Sequence, residues 1–209
     1  MFQTKTDNKH ITAKLLLRRY FLDKYHAGGG VVLDCCQATG RIWHILRAEY
    51  PHLEYVGADI MPQKTATIKI DSSRLLMTHG WPYTVVDIDT YGEPWKHYAN
   101  LCQTIAGPVT VFLTLGLIRV QGGVTSNLIR AALHIPRETP TALATAAHAA
   151  AADMLLFQWL NSNTKIVEIQ EALPKGKARY IGIRLDYNNG KAYNSDVVQL
   201  KSKEKNTCR

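Results

Sequence analysis

Carboxylates stand where apolar runs stop. Asp34 ends Val31-Val32-Leu33-Asp34, Asp59 ends the run 53–59, Asp71 follows Ile68-Lys69-Ile70, and Asp87 and Asp89 end the run 83–89. An acid at the end of a second strand can accept both hydrogen bonds of a ribose diol, which makes Asp59 a candidate nucleoside contact. Between the first two acids lies the turn Cys35-Cys36-Gln37-Ala38-Thr39-Gly40-Arg41. It lacks the G-x-G-x-x-G diphosphate cradle, and no phosphate-clamping lysine or Ser/Thr pair follows it. A cofactor without phosphates suits such a turn better than a nicotinamide dinucleotide. The Asp87-x-Asp89 spacing could also hold a divalent metal, but no third carboxylate or histidine follows at a convincing spacing, so no metal site is expected.

These acids converge only if rigid strands carry them. Ile11 to Tyr25 patterns as an amphipathic helix, with Leu15, Leu16, Phe21 and Leu22 in an apolar stripe beside basic Arg18 and Arg19. Gly28-Gly29-Gly30 stops it, and a second helix, 41–50, is stopped by Pro51. Strand-like runs cover 31–34, 53–59, 66–71, 83–89 and 109–115, an Ala-rich helix covers 141–160, and two last runs, 165–172 and 178–185, flank the turn Pro174-Lys175-Gly176-Lys177. Strands separated by helices imply crossovers and a parallel sheet. The expected architecture is α/β: a Rossmann-like open, mostly parallel sheet with helices on both faces and an antiparallel C-terminal β-hairpin. The chain, 1–209, reads as a single domain with a basic N-terminal helix and a basic tail at 201–209.

Two segments resemble known families. Asp34, Ala38 and Gly40 fall in register with the D/E-x-G-x-G-x-G loop of class I S-adenosylmethionine-dependent methyltransferases, although Cys36 and Ala38 replace its first two glycines. The resemblance implies S-adenosyl-L-methionine as cofactor, held by Asp34, Cys36, Ala38, Gly40, Asp59, Ile60, Asp71, Ser72 and Asp87, with Asp71 near the adenine amino group. Asp87-Ile88-Asp89-Thr90-Tyr91-Gly92-Glu93-Pro94 resembles the D-x-D-P-[FY]-G-[ST]-P segment of tRNA guanine N2-dimethyltransferases, and more distantly the motif of nucleic-acid amino-methyltransferases. Thr90 replaces the first proline and Glu93 a small residue. The implied reaction is methylation of an exocyclic amine, a poor nucleophile because its lone pair is delocalised into the ring. Asp89, or the neighbouring backbone carbonyls, would accept from its N–H and stabilise the charge that develops. Tyr91 would stack on the base, worth about 1–3 kcal/mol. Trp95, His97 and Tyr98 are candidate substrate contacts beyond the motif.

The charge balance fits such a substrate. Lys+Arg total 25 against 17 Asp+Glu, a net +8 that favours an anionic partner, nucleic acid first. Lys5, Lys9, Lys14, Arg18, Arg19 and Lys24 crowd the first helix, and Lys201, Lys203, Lys205 and Arg209 the tail, as phosphate contacts require. A hydrophobic share of 46% supplies a sizeable core, and the apolar stretch 144–160 is interrupted by His148, Asp153 and Gln158, so no membrane span is expected. MFQTKTDNKH has no apolar core, and Cys35, Cys36, Cys102 and Cys208 show no zinc spacing, which together suit reduced thiols in a cytoplasmic compartment. Little of the chain remains for substrate selection, which substrate structure, a homodimer or a partner subunit would supply. A small-molecule methyltransferase and a noncatalytic subunit of the same fold remain the alternatives.

Overall fold

The computed structural model of the protein describes residues 10–61, 67–90, 93–116, 127–172 and 178–188. In chain order they form α1 (Ile11–Tyr25), β1 (Gly30–Asp34), α2 (Arg41–Glu49), β2 (Leu53–Asp59), β3 (Ile68–Lys69), α3 (Ser72–Leu75), β4 (Val85–Ile88), α4 (Trp95–Thr104), β5 (Val109–Gly116), α5 (Asn127–Ala132), α6 (Thr141–Gln158), β6 (Thr164–Ala172) and β7 (Ala178–Tyr187). The seven strands make one sheet in the order β3-β2-β1-β4-β5-β7-β6. The first five strands of that order run parallel, while β7 is antiparallel to both β5 and β6. This is the expected Rossmann-like sheet with its C-terminal hairpin. The hairpin inserts its second strand, so the earlier one, β6, becomes the edge.

Strand periodicity divides the core into two layers. Val32, Val85 and Phe112 face Leu17, Phe21 and Leu22 of α1 and Ile42, Trp43 and Leu46 of α2. Their neighbours Leu33, Val86, Val111 and Leu113 face Trp95, Tyr98 and Leu101 of α4, Ile129 of α5, and Leu155 of α6. Helix α4 occupies the segment where the sequence reading offers Trp95, His97 and Tyr98 as substrate contacts. Its buried residues Trp95, Tyr98, Leu101 and Cys102 recur at helical spacing, which closes that face. Trp95 and Tyr98 are thus core residues, fully buried, and offer no surface to a substrate. Strand β3 is shorter than the run 66–71, since it pairs only with β2.

The α1 helix has the expected bounds but not the expected polarity. Lys14 and Arg18 are buried with Leu15, Leu17, Phe21 and Leu22, whereas Leu16 and Tyr20 face outward. Phe21 seats the helix on β7 because Gly182 leaves room there; a Cβ at Gly182 would lie 2.4 Å from the Phe21 ring. Among the described residues no helix is long and apolar enough to cross a membrane.

Candidate active site

The strand order reverses between β1 and β4, where the flanking crossovers leave in opposite directions and open a crevice beyond the carboxyl ends. Asp34 ends β1 beside Asp87 on β4, and Asp89 follows one step past the end of β4. Alternation aims these acids to the α1/α2 side, the side of Val32 and Val85. There α1 meets them with its two buried cations. Residues four apart on a helix rise about 6 Å, and residues two apart on a strand about 6.6 Å. Lys14 and Arg18 therefore match Asp89 and Asp87 as rungs of one ladder.

The rungs differ. Arg18 Nε and Nη2 donate to both oxygens of Asp87 at 2.8 and 2.6 Å, and the indole N–H of Trp43 donates to the same carboxylate at 2.7 Å. Both side chains are 2% exposed, so this is an internal ion pair. Lys14 donates to Oδ2 of Asp89 alone, with the lysine 6% and the aspartate 24% exposed. Burial pushes the Asp89 carboxyl up, but Lys14, Arg18 and a hydrogen bond from Thr114 outweigh it and hold the acid below its ordinary range. Asp34 has no cation of its own. Burial and then the Asp87 charge raise its carboxyl, against a 2.9 Å hydrogen bond from the Tyr55 hydroxyl.

Across the crevice, Asp59 organises the β1–α2 turn. Its Oδ2 accepts from the Ala38 N–H at 2.9 Å and its Oδ1 from the Met61 N–H at 2.8 Å, leaving two of a carboxylate's four lone-pair positions. Ala38 (φ 45°) and Gly40 (φ 65°) both take left-handed backbone, which glycine accepts freely and alanine at a cost. The Gln37 side chain lies over Gly57, where a Cβ would sit 2.3 Å from its amide oxygen. Ile60 is 66% exposed beside Asp59. Cys36 borders the turn as a neutral thiol, pushed up to about 12 by burial and by Asp34. Beyond β3, Asp71 caps α3 by accepting from the Ser73 N–H at 3.0 Å and the Ser73 hydroxyl at 2.7 Å. That bonding keeps its carboxyl below the ordinary value. Ser72 lies 3.0 Å from His97 Nε2, and burial lowers that imidazole to about 4.

The remaining expectations divide. Tyr91, Gly92, Lys5, Lys9 and the basic tail lie outside the described residues. Arg18 does not present a phosphate contact, because its guanidinium is internal and bonded to Asp87 and to the Lys14 carbonyl. Arg19 lies on the surface, but both its bonds go to Glu49, at 2.7 Å each. Lys24 pairs with Glu168. The basic stripe of α1 is therefore spent on carboxylates of this chain. Sequence reading missed Lys14, Trp43 and Tyr55 as partners of the strand-end acids. The available signal was the Lys14/Arg18 spacing within an apolar face, which demands acids two apart on a strand.

No protein-family model matches the sequence, and no curated protein matches it. Solved structures do match. The plantazolicin methyltransferase BpumL, solved with a pentazolic desmethylPZN analog and SAH, aligns at a TM-score of 0.52 with 13% identity, over 88% of each chain. Trm1 from Pyrococcus horikoshii, solved with S-adenosyl-L-methionine, aligns at 0.55 with 13% identity, over 85% of this chain and 55% of that one. TYW2 from M. jannaschii, solved with AdoMet, aligns at 0.50 with 10% identity, over 88% of this chain and 78% of that one. The chain has the methyltransferase fold. In that fold the carboxyl-end crevice is built here from Asp34, the turn 35–40, Asp59, Asp71, Ser72 and Asp89.

Proposed function

We propose that the protein is an S-adenosylmethionine-dependent methyltransferase that modifies an exocyclic amino group of a nucleobase in DNA or RNA. The observation that carries this reading is Asp89: an ionised carboxylate at the switch point, 24% exposed, whose donors among the described residues are Lys14 and Thr114, fewer than its four lone-pair positions. Beside it the Thr90 hydroxyl has no hydrogen-bond partner among the described residues, a vacancy that a polar substrate would relieve. S-adenosylmethionine, when bound, supplies an electrophilic methyl group on a sulfonium. The two free lone-pair positions of Asp59 suit its ribose diol, Ile60 its adenine face, and the turn at Cys36, Ala38 and Gly40 a close approach of backbone. Asp71, Ser72 and Asp34 stand at the carboxyl ends of β3 and β1, whereas Asp87 contributes through the Arg18 pair that fixes the strand end. Asp89 accepts from the target amine N–H, and Tyr91 provides the stacking face.

Phosphate contacts come from the rim instead of α1. Arg41, Lys69, Arg74 and Lys96 are exposed, and each lies at or after the carboxyl end of β1, β3 or β4. Lys96 has only a 3.7 Å approach to Asp71. The paired cations of α1 favour a second reading, a methyltransferase for a small amine that has no phosphate backbone.

The test is label transfer from S-adenosylmethionine to separate pools of RNA, denatured DNA and small amines. The expected result is transfer to a nucleic-acid pool, with binding that weakens steeply as salt rises. Transfer only to small amines establishes the second reading. In parallel, calorimetry should find cofactor binding to the wild type. Asp59→Ala should weaken it by about 1.5–3 kcal/mol, roughly ten- to a hundredfold, by removing charge-assisted hydrogen bonds. Unchanged affinity in that variant removes Asp59 from the cofactor site.

A further inference from the structure

We infer that Lys14 is a positioning residue for methyl transfer: from α1 it keeps Asp89 ionised while engaging one oxygen, so that the other lone pairs stay available to the amine. The inference rests on the assignment of Asp89 as the amine acceptor.

The two rungs of the ladder carry the argument. Arg18 forks onto both oxygens of Asp87, and Trp43 adds a third donor; at 2% exposure that carboxylate is structural. Lysine is a point charge and makes no such fork. It reaches Oδ2 of Asp89 with its ammonium 5.0 Å from the Tyr180 ring centroid, and with Thr114 as the other described donor the carboxylate keeps acceptor positions and stays 24% exposed. The groups facing Asp89 come from every neighbouring element: Lys14 and Arg18 from α1, Asp34 from β1, Cys36 from the turn, Asp87 from β4, Thr114 from β5. The acids among them favour protonation of Asp89, as does burial. A protonated Asp89 is a donor and would oppose an amine N–H. Lys14 prevents that.

The sign of the pH effect follows. With Lys14 present, Asp89 stays charged below the ordinary carboxylate range. Without it, burial and the neighbouring acids raise the carboxyl, and activity is lost as pH falls through that raised value.

Three variants test this: Lys14→Met, Lys14→Gln, which keeps a donor and serves where the Met variant is too unstable, and Lys14→Arg. Two readouts apply: the ¹³C resonance of the Asp89 carboxyl against pH, assigned with Asp89→Asn, and label transfer from S-adenosylmethionine to total RNA and denatured DNA. The neutral variants should move the carboxyl titration and the acid limb of transfer to higher pH. Transfer at pH 6.5 should fall about tenfold or more and recover to within about threefold of wild type by pH 9. Lys14→Arg should keep the acid limb in place but slow transfer at every pH, because its fork occupies both oxygens. An Asp89 resonance that titrates alike in wild type and neutral variants overturns the inference, as does a uniform, pH-independent loss of rate. If Asp89→Asn transfers at the wild-type rate, it is the acceptor assignment itself that fails.

Discussion

Arg18→Leu should lower the free energy of unfolding by about 3–5 kcal/mol, the cost of leaving one member of an internal ion pair uncompensated. Asp87 would keep only the Trp43 N–H, at a site where its carboxylate is 2% exposed. The double variant Arg18→Leu/Asp87→Leu should regain much of the stability, because exchanging a whole buried pair for apolar groups is often neutral. Denaturant titration of the two single variants and the double decides it. A loss below about 1 kcal/mol in Arg18→Leu would show that the pair is solvated and that α1 is not anchored there.

Asp89→Ala should slow single-turnover methyl transfer by about 10²–10⁴-fold while leaving S-adenosylmethionine affinity within about twofold. An interaction made chiefly in the transition state appears in the rate and not in ground-state binding. Because the substitution strips Lys14 of its partner, Asp89→Asn is the companion: it keeps an acceptor for Lys14 and removes the charge. Both variants should be slow, and the Asn variant should be the more stable. Wild-type turnover in either one would reduce the end of β4 to a structural strand end, and a parallel loss of cofactor affinity would move Asp89 into the cofactor pocket.

Much of this frame is legible in the sequence, for identifiable reasons. Val31-Val32-Leu33 and the run 109–115 are apolar on both faces, as central strands covered by helices must be, and both are central here. The acids at strand ends are legible because the fold places ligand chemistry there. The orientation of α1 is not. Periodicity locates its bounds, but it counts Lys14 and Arg18 as outward-facing, and the carboxylates that draw them inward lie 75 and 69 residues away. Helix α4 escapes notice although Trp95, Tyr98, Leu101 and Cys102 hold helical spacing, because its aromatic residues follow the Asp87–Pro94 motif and read as substrate contacts. The turn 35–40 is read through missing glycines, yet the structure keeps left-handed backbone at Ala38 by tying its N–H to Asp59.

The seating of α1 also orders the assembly of the protein in time. The helix packs against β6 and β7, and Phe21 occupies the notch at Gly182, nearly the whole described chain away. At a synthesis rate of about 5–20 residues per second, α1 waits on the order of ten to thirty seconds for that seat. During that interval Leu15, Phe21 and Leu22 have no finished surface to cover. Lys14 and Arg18 gain their acids when β4 emerges, but Tyr180, under the Lys14 ammonium, comes later. Such long-range closure is intrinsically slow and leaves apolar surface open to other chains. A nascent chain halted before Ala178 therefore lacks more than a strand, because the helix that carries Lys14 into the crevice then has α2 and the earlier strands but not its seat on β7.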